Sequence, residues 1–252
     1  MTLNHERAGS GEPLVLLHPL GGELVVWQPV FEGLAAERDT IALDLPGFGG
    51  SPPLPNGTAP TPQELAAAVA SFLDAQGVQR AHLAGNSLGG WVALELAKSG
   101  RALSVTTLSA AGLWERPLGP RATPIRRIGR PLLPLVPLFA RSAGGRRALL
   151  KSVMVRPERV PPAAATRLIR AYVTSPGFEA ANSAMRATVF SGIEEIEVPV
   201  TLAWAEHDRL VARPKSRPAG ARMVTLRGCG HVPTWDGPEQ VTRLLLSSGT
   251  PA

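Results

Sequence analysis

Gly85-Asn86-Ser87-Leu88-Gly89 sets a hydroxyl between two glycines, where an apolar run ends and a helical pattern begins. That is the placement a serine nucleophile needs. On so sharp a strand-to-helix turn the neighbours must be small, so Gly85 and Gly89 let the backbone fold tightly and expose Ser87. The following helix aims free N–H groups at the point where an oxyanion forms, and Leu88 carries the first of them. Read as structure alone, the same five residues are a glycine-rich turn with a capping serine. A serine needs a base that takes up a proton near neutral pH and returns it, which is histidine chemistry. Five histidines are present: His5 in the N-terminal segment, His18 after the first apolar run, His82 inside a strand pattern, and His207 and His231 after later strands. The imidazole needs a carboxylate to hold its tautomer, and Glu206 and Asp208 compete in Ala205-Glu206-His207-Asp208.

The elements that position these residues alternate strand and helix, as a parallel sheet with crossover helices requires. Short apolar runs at 13–18 (PLVLLH), 40–44, 81–85, 103–109, 198–205 and 221–226 read as buried strands. Helices are expected at 24–36, at 62–76, after Ser87 through Lys98, and at 238–246. Thr61-Pro62-Gln63-Glu64 has the form of a capping box with proline in the first helical position. Between residues 114 and 196 the rhythm breaks into Pro- and Arg-rich helical patterns without a convincing strand. The expected organisation is a first core part at 1–113, a helical lid at 114–196, and a second core part at 197–252.

The chain has 252 residues, 44% hydrophobic and 18% charged, which fits an ordinary globular domain and not a disordered chain. No apolar run approaches the roughly 20 residues of a membrane-spanning helix, and the first residues lack a signal core. A cytoplasmic protein is the expectation. A single cysteine, Cys229, excludes an internal disulfide, and scattered histidines suggest no metal, so no cofactor is expected. Cys229 reads as a small packing residue. The net charge of +6 is local: residues 115–170 hold 13 Lys or Arg against two acids. With no nucleic-acid-binding motif in that stretch, it reads as a solvated basic face, or else a surface for an anionic substrate, an acidic partner or a membrane. Arg126 and Arg127 count among its surface arginines.

Four segments in this order resemble the α/β-hydrolase superfamily, in particular its small lidded serine hydrolases. They are His18-Pro19-Leu20-Gly21-Gly22, Asp44-Leu45-Pro46-Gly47-Phe48-Gly49-Gly50-Ser51, Gly85-Asn86-Ser87-Leu88-Gly89-Gly90 and Gly228-Cys229-Gly230-His231. The resemblance covers most of the chain and is weakest across 114–196. It implies an α/β-hydrolase fold, a mostly parallel sheet flanked by helices with the lid before the penultimate strand. The family order of serine, acid and histidine implies Ser87, Asp208 and His231 as catalytic residues. Glu206 remains the neighbouring alternative, and Glu115 is another, because some relatives take their acid from there. The oxyanion donors would be the N–H groups of Leu88 and Leu20, since Pro19 has none to give. In relatives His18 and the Asp44 loop are structural, and that loop lacks the Gly-Lys-Ser/Thr ending of a phosphate loop.

The resemblance further implies hydrolysis through an acyl-enzyme, of a carboxylic ester with a small to medium apolar acyl group. Relatives that open epoxides carry aspartate at the elbow, and here it is Ser87. Carbon–carbon bond hydrolases of ring-cleavage products share Gly-Asn-Ser-x-Gly-Gly but usually place an aromatic after the histidine, where this chain has Val232. A thioesterase, a cofactor-free perhydrolase and a non-enzymatic ligand-binding protein on the same fold are the further alternatives. Trp27, Leu138, Phe139 and Trp235 are the expected pocket residues. Pro131, Pro134 and Pro137 recur every third residue, so that stretch is expected to be an irregular hinge or rim of a mobile lid.

Overall fold

The six apolar runs become the parallel strands of one seven-stranded sheet in the computed structural model, which describes residues 1–55, 57–120, 123–215, 218 and 220–247. The strands are β1 (His5–Ala8), β2 (Pro13–Leu17), β3 (Asp39–Leu43), β4 (Ala81–Asn86), β5 (Ala102–Leu108), β6 (Val200–Ala205) and β7 (Ala221–Leu226). Their spatial order is β1-β3-β2-β4-β5-β6-β7. From β3 to β7 all pairs are parallel, and β1 alone runs antiparallel, with His5 opposite Leu43. The sequence gives no warning of β1, because HERA is polar and mostly exposed. It forms as an edge strand, held by the backbone ladder it makes with β3.

Helices α1 (Gln28–Ala35), α2 (Pro62–Ala75) and α3 (Leu88–Lys98) belong to the first half of the chain. Between β5 and β6 come α4 (Pro124–Gly129), α5 (Val136–Arg141), α6 (Ala143–Leu150), α7 (Pro162–Thr174) and α8 (Phe178–Arg186). Two helices follow the last strand, α9 (Pro233–Asp236) and α10 (Pro238–Leu246). Thr61 caps α2 by accepting the Glu64 N–H at 3.2 Å. The return half of the capping box is not made, because the Thr61 N–H is already bonded to the Ala59 carbonyl.

Period-two alternation splits the core into two layers. Val15, Leu17, Ile41 and Leu43 face one cluster with α2 and α3, whereas Leu14, Leu16 and Ala42 face the other with α1 and α10. The inserted helices join both. Phe178, Ala181 and Met185 of α8 are buried in the first cluster, and Ala140, Leu150, Ala165 and Leu168 of α5 to α7 in the second.

Two expectations about the insertion change. Arg126 is not at the surface. It is 6% exposed, lies 4.1 Å from the Phe178 ring, and donates to the carbonyls of Tyr172 and Ser175 and to Glu179. Its guanidinium therefore staples α4 to the α7–α8 junction. The proline triplet is regular rather than irregular: Arg130–Leu135 is a 3₁₀ helix with Pro134 inside it. Proline cannot donate to an i−4 carbonyl and clashes with it, so the tighter i−3 turn is the accessible helix.

Candidate active site

β4 delivers Ser87 to the C-terminal edge of the sheet, where α3 begins. Ser87 sits at φ 55°, the left-handed region that side chains rarely adopt. Neighbouring space explains how. A side chain on Gly85 would collide with the Gly89 carbonyl, and one on Gly89 would collide with the carbonyls of Leu17 and His18. The strained backbone is pinned on both sides: Ser87 N–H donates to Leu108 O at 3.0 Å, and Ala111 N–H donates to Ser87 O at 3.0 Å. The Ser87 hydroxyl itself has no partner among the described residues.

His231 is tied to this turn by Asn86, whose Nδ2 donates to His231 O at 3.0 Å and to Leu108 O at 2.8 Å. In the sequence Asn86 stands out only as part of Gly-Asn-Ser-x-Gly-Gly, with no role of its own. An amide beside the nucleophile was the one available signal. A second unforeseen residue is Asp236. It is buried, and its carboxylate accepts the N–H groups of Val155, Arg156 and Gly230 at 2.8 to 3.0 Å. Val232 N–H also donates to Val153 O. The loop carrying His231 is thus fastened to the segment between α6 and α7.

The imidazole itself meets Asp208, whose Oδ2 lies 2.8 Å from His231 Nδ1. Asp208 Oδ1 accepts the N–H groups of Leu210 and Val211, which fixes the carboxylate. Burial opposes its charge, but the bonds from His231 and from these two amides outweigh it and hold Asp208 below the usual carboxylate range. Glu206 faces elsewhere and accepts Gly228 N–H at 2.7 Å. Glu115 pairs with Lys215 at the surface.

The oxyanion candidates lie on the two loops that meet at Ser87. Leu88 opens α3 and has no intrahelical acceptor, and neither its N–H nor that of Leu20 is bonded among the described residues. His18 holds the Leu20 turn in place. Its Nε2 accepts Leu45 N–H at 2.9 Å, so Nδ1 carries the proton and donates to Pro19 O at 2.8 Å. Burial pushes the His18 pKa down, against the pull of Asp44 and the Pro19 carbonyl, and keeps the ring neutral. The Asp44 carboxylate accepts from Asn4, Leu24 and Gly50, so it ties its own loop to the N-terminal segment and to the residues just after the Leu20 turn.

The remaining histidines are elsewhere: His5 on β1, His82 bonded to Ser104 Oγ, and His207 half-exposed beside Glu206. The expected pocket residues divide into a core pair and an exposed pair. Trp27 is fully buried in the second core cluster and Trp235 packs partly against it. Leu138 and Phe139, 63% and 56% exposed, point into solvent, because the inner face of α5 is taken by Val136 and Ala140. Cys229 is buried, and burial raises its thiol to about 11.

A mostly parallel sheet with a serine on a strained strand-to-helix turn and a histidine–aspartate pair beside it defines a hydrolase of known architecture. Residues 14–244 match the alpha/beta hydrolase family, and the chain belongs to it. Over 201 residues it is 33% identical to the epoxide hydrolase EphH of Mycobacterium tuberculosis, covering 73% of this chain and 92% of that protein. It is 29% identical over 245 residues to the dihydrolipoyllysine-residue acetyltransferase component of the acetoin cleaving system of Cupriavidus necator; this match takes in 90% of the chain but only 60% of that protein. Among solved structures, a bacterial membrane phospholipase A superposes with a TM-score of 0.74 at 27% identity, over 97% of this chain and 81% of that one.

Proposed function

We propose that the protein is a serine hydrolase acting on carboxylic esters with a small to medium apolar acyl group, through an acyl-enzyme. The observation that carries the reading is the buried pair of Asp208 Oδ2 and His231 Nδ1 at 2.8 Å, fastened through Asn86 to the turn of Ser87. Asp208 fixes the tautomer, so His231 Nε2 is the atom free to act as base. Ser87 Oγ attacks the carbonyl carbon as its proton passes to His231 Nε2. The N–H groups of Leu20 and Leu88 receive the oxyanion. Collapse breaks the carbon–oxygen bond, and His231 returns the proton to the departing alcohol. Water then attacks the acyl-enzyme, giving its proton to His231, and the acid leaves as Ser87 regains its own. Residues 114–196 act as a lid that shapes the acyl pocket.

Likeness to the epoxide hydrolase EphH favours a second reading, epoxide opening, which asks a neutral serine to do work that relatives give to a carboxylate. One panel separates them: p-nitrophenyl esters of rising chain length, an acyl-thioester, a dienoic ring-cleavage product and a styrene oxide. Ester turnover is expected, with labelling by a fluorophosphonate that disappears in Ser87→Ala. The variant should lose on the order of 10⁴-fold in kcat while folding normally. Residual activity above about 10% of wild type would sink Ser87 as nucleophile, and turnover of the epoxide alone would replace the ester reading.

A further inference from the structure

Five of the nine large apolar side chains exposed among the described residues lie within residues 128–139: Ile128, Leu132, Leu135, Leu138 and Phe139, at 47 to 65% exposure. They follow from the 3₁₀ geometry. At three residues per turn Leu132 and Leu135 fall in one row, and Leu138 and Phe139 continue it onto α5. Pro131, Pro134 and Pro137 form the neighbouring row and are exposed as well. From 130 to 139 only Leu133, Val136 and Ala140 just beyond turn inward, so the segment stands proud of the molecule as a ridge.

The stretch of chain that carries it is strongly cationic. The sequence from Arg116 to Pro157 holds ten Lys or Arg and no Asp or Glu. Arg127, Arg130 and Arg141 flank the ridge and are exposed, and their guanidinium groups make no hydrogen bond or ion pair among the described residues. The adjoining carboxylates are already engaged, Glu158 with Arg147 and Glu179 with Arg126.

We propose that this ridge docks the protein on anionic lipid bilayers, with Leu132, Leu135, Leu138 and Phe139 entering the headgroup–acyl boundary and Arg127, Arg130 and Arg141 meeting lipid phosphates. Charge complementarity selects an anionic surface. Protrusion selects a bilayer over an acidic protein, because a ridge exposed on nearly every side needs a deformable surface or a matching cleft. The prolines point the same way. Each lacks an N–H, so three backbone donors that would need partners in hydrocarbon are absent, and the fixed φ angles leave little entropy to lose. The inference stands apart from the hydrolytic reading, since it concerns binding alone.

Cosedimentation of the full chain with vesicles of phosphatidylcholine, and of equimolar phosphatidylcholine and phosphatidylglycerol, tests it. Binding is expected to the mixed vesicles and to be far weaker with phosphatidylcholine alone. Arg127→Gln/Arg130→Gln/Arg141→Gln should lower partitioning to the anionic vesicles by about a hundredfold. Leu132→Ser/Leu138→Ser/Phe139→Ser should lower it by at least about tenfold and should do so in high salt as well. All six positions are exposed, and circular dichroism checks that both variants fold. Wild-type protein that stays in the supernatant with both vesicles, or that binds polyglutamate instead, overturns the proposal. So does a Leu/Phe variant that binds as well as wild type.

Discussion

The turn at Ser87 and the inserted helices are held by opposite means. Around Ser87 the constraint is backbone against backbone: glycines at 85 and 89 admit a close approach, and hydrogen bonds from Ser87 and Ala111 lock a positive φ. Nothing there depends on the shape of a large side chain. The insertion is held by side chains on its inner face, Phe178, Ala140, Leu168 and the Arg126 staple, while its outer face stays apolar and bare. The first arrangement fixes atoms to fractions of an ångström, as bond-making chemistry demands. The second fixes only where a segment sits, and leaves its outside open to change.

The largest effect that would break this contrast lies at the carboxylate that holds His231. Asp208→Asn should cut ester turnover on the order of a thousandfold or more, since the amide supports the wrong tautomer of His231. Glu206→Gln, two residues away, should cost little, because that carboxylate serves Gly228 N–H and not the imidazole. Steady-state rates on one p-nitrophenyl ester decide it. If the two variants swap in severity, the bond to His231 is not the one that matters.

A smaller effect separates the two faces of the insertion. Phe178→Ala removes a side chain buried at the start of α8 and against Arg126, and should cost about 3–5 kcal/mol of stability. Leu138→Ala, on the bare outer face, should stay within about 0.5 kcal/mol. Urea unfolding curves measure both. Equal losses would mean that the outer ridge packs against something in the free protein.

The same contrast explains what could be read from the chain beforehand. Glycines forced by close approach leave a spaced motif, so the turn at Ser87 was legible; short apolar runs marked the six parallel strands, and the pairing of Asp208 with His231 came from the family resemblance alone. β1 was not legible, because an edge strand is held by backbone bonds that four polar residues do not announce. Leu138 and Phe139 looked like pocket residues because they are apolar and lie in the insertion. Composition cannot say which face of a helix turns inward; here Val136 and Ala140 took that face. Arg126 looked like a surface charge for the complementary reason, and its burial depends on carbonyls of Tyr172 and Ser175 nearly fifty residues away. Asp236 likewise carries no motif, only a geometry in which the distant N–H groups of Val155 and Arg156 converge with that of nearby Gly230.

The smallest effect concerns Cys229, two residues before His231. Burial is the main reason its thiol is pushed up to about 11, with the Asp236 and Glu206 carboxylates adding to the shift and Arg156 opposing it. Only the thiolate reacts with an alkylating agent. At pH 8 about one native thiol in a thousand is therefore charged, and access is closed as well. Iodoacetamide should label the native protein at least about a hundredfold more slowly than the urea-unfolded chain. The native rate should climb with pH toward 11 without a plateau at the ordinary thiol value. The sign for stability is the reverse of that for reactivity: above the ordinary value the unfolded chain loses its proton first, so deprotonation favours unfolding. Rapid labelling of native protein at pH 8 would show that the loop between Arg227 and His231 opens on its own. The rigidity ascribed to the Ser87 region would then stop short of its base, and the contrast with the insertion would have to be drawn at Asn86 instead.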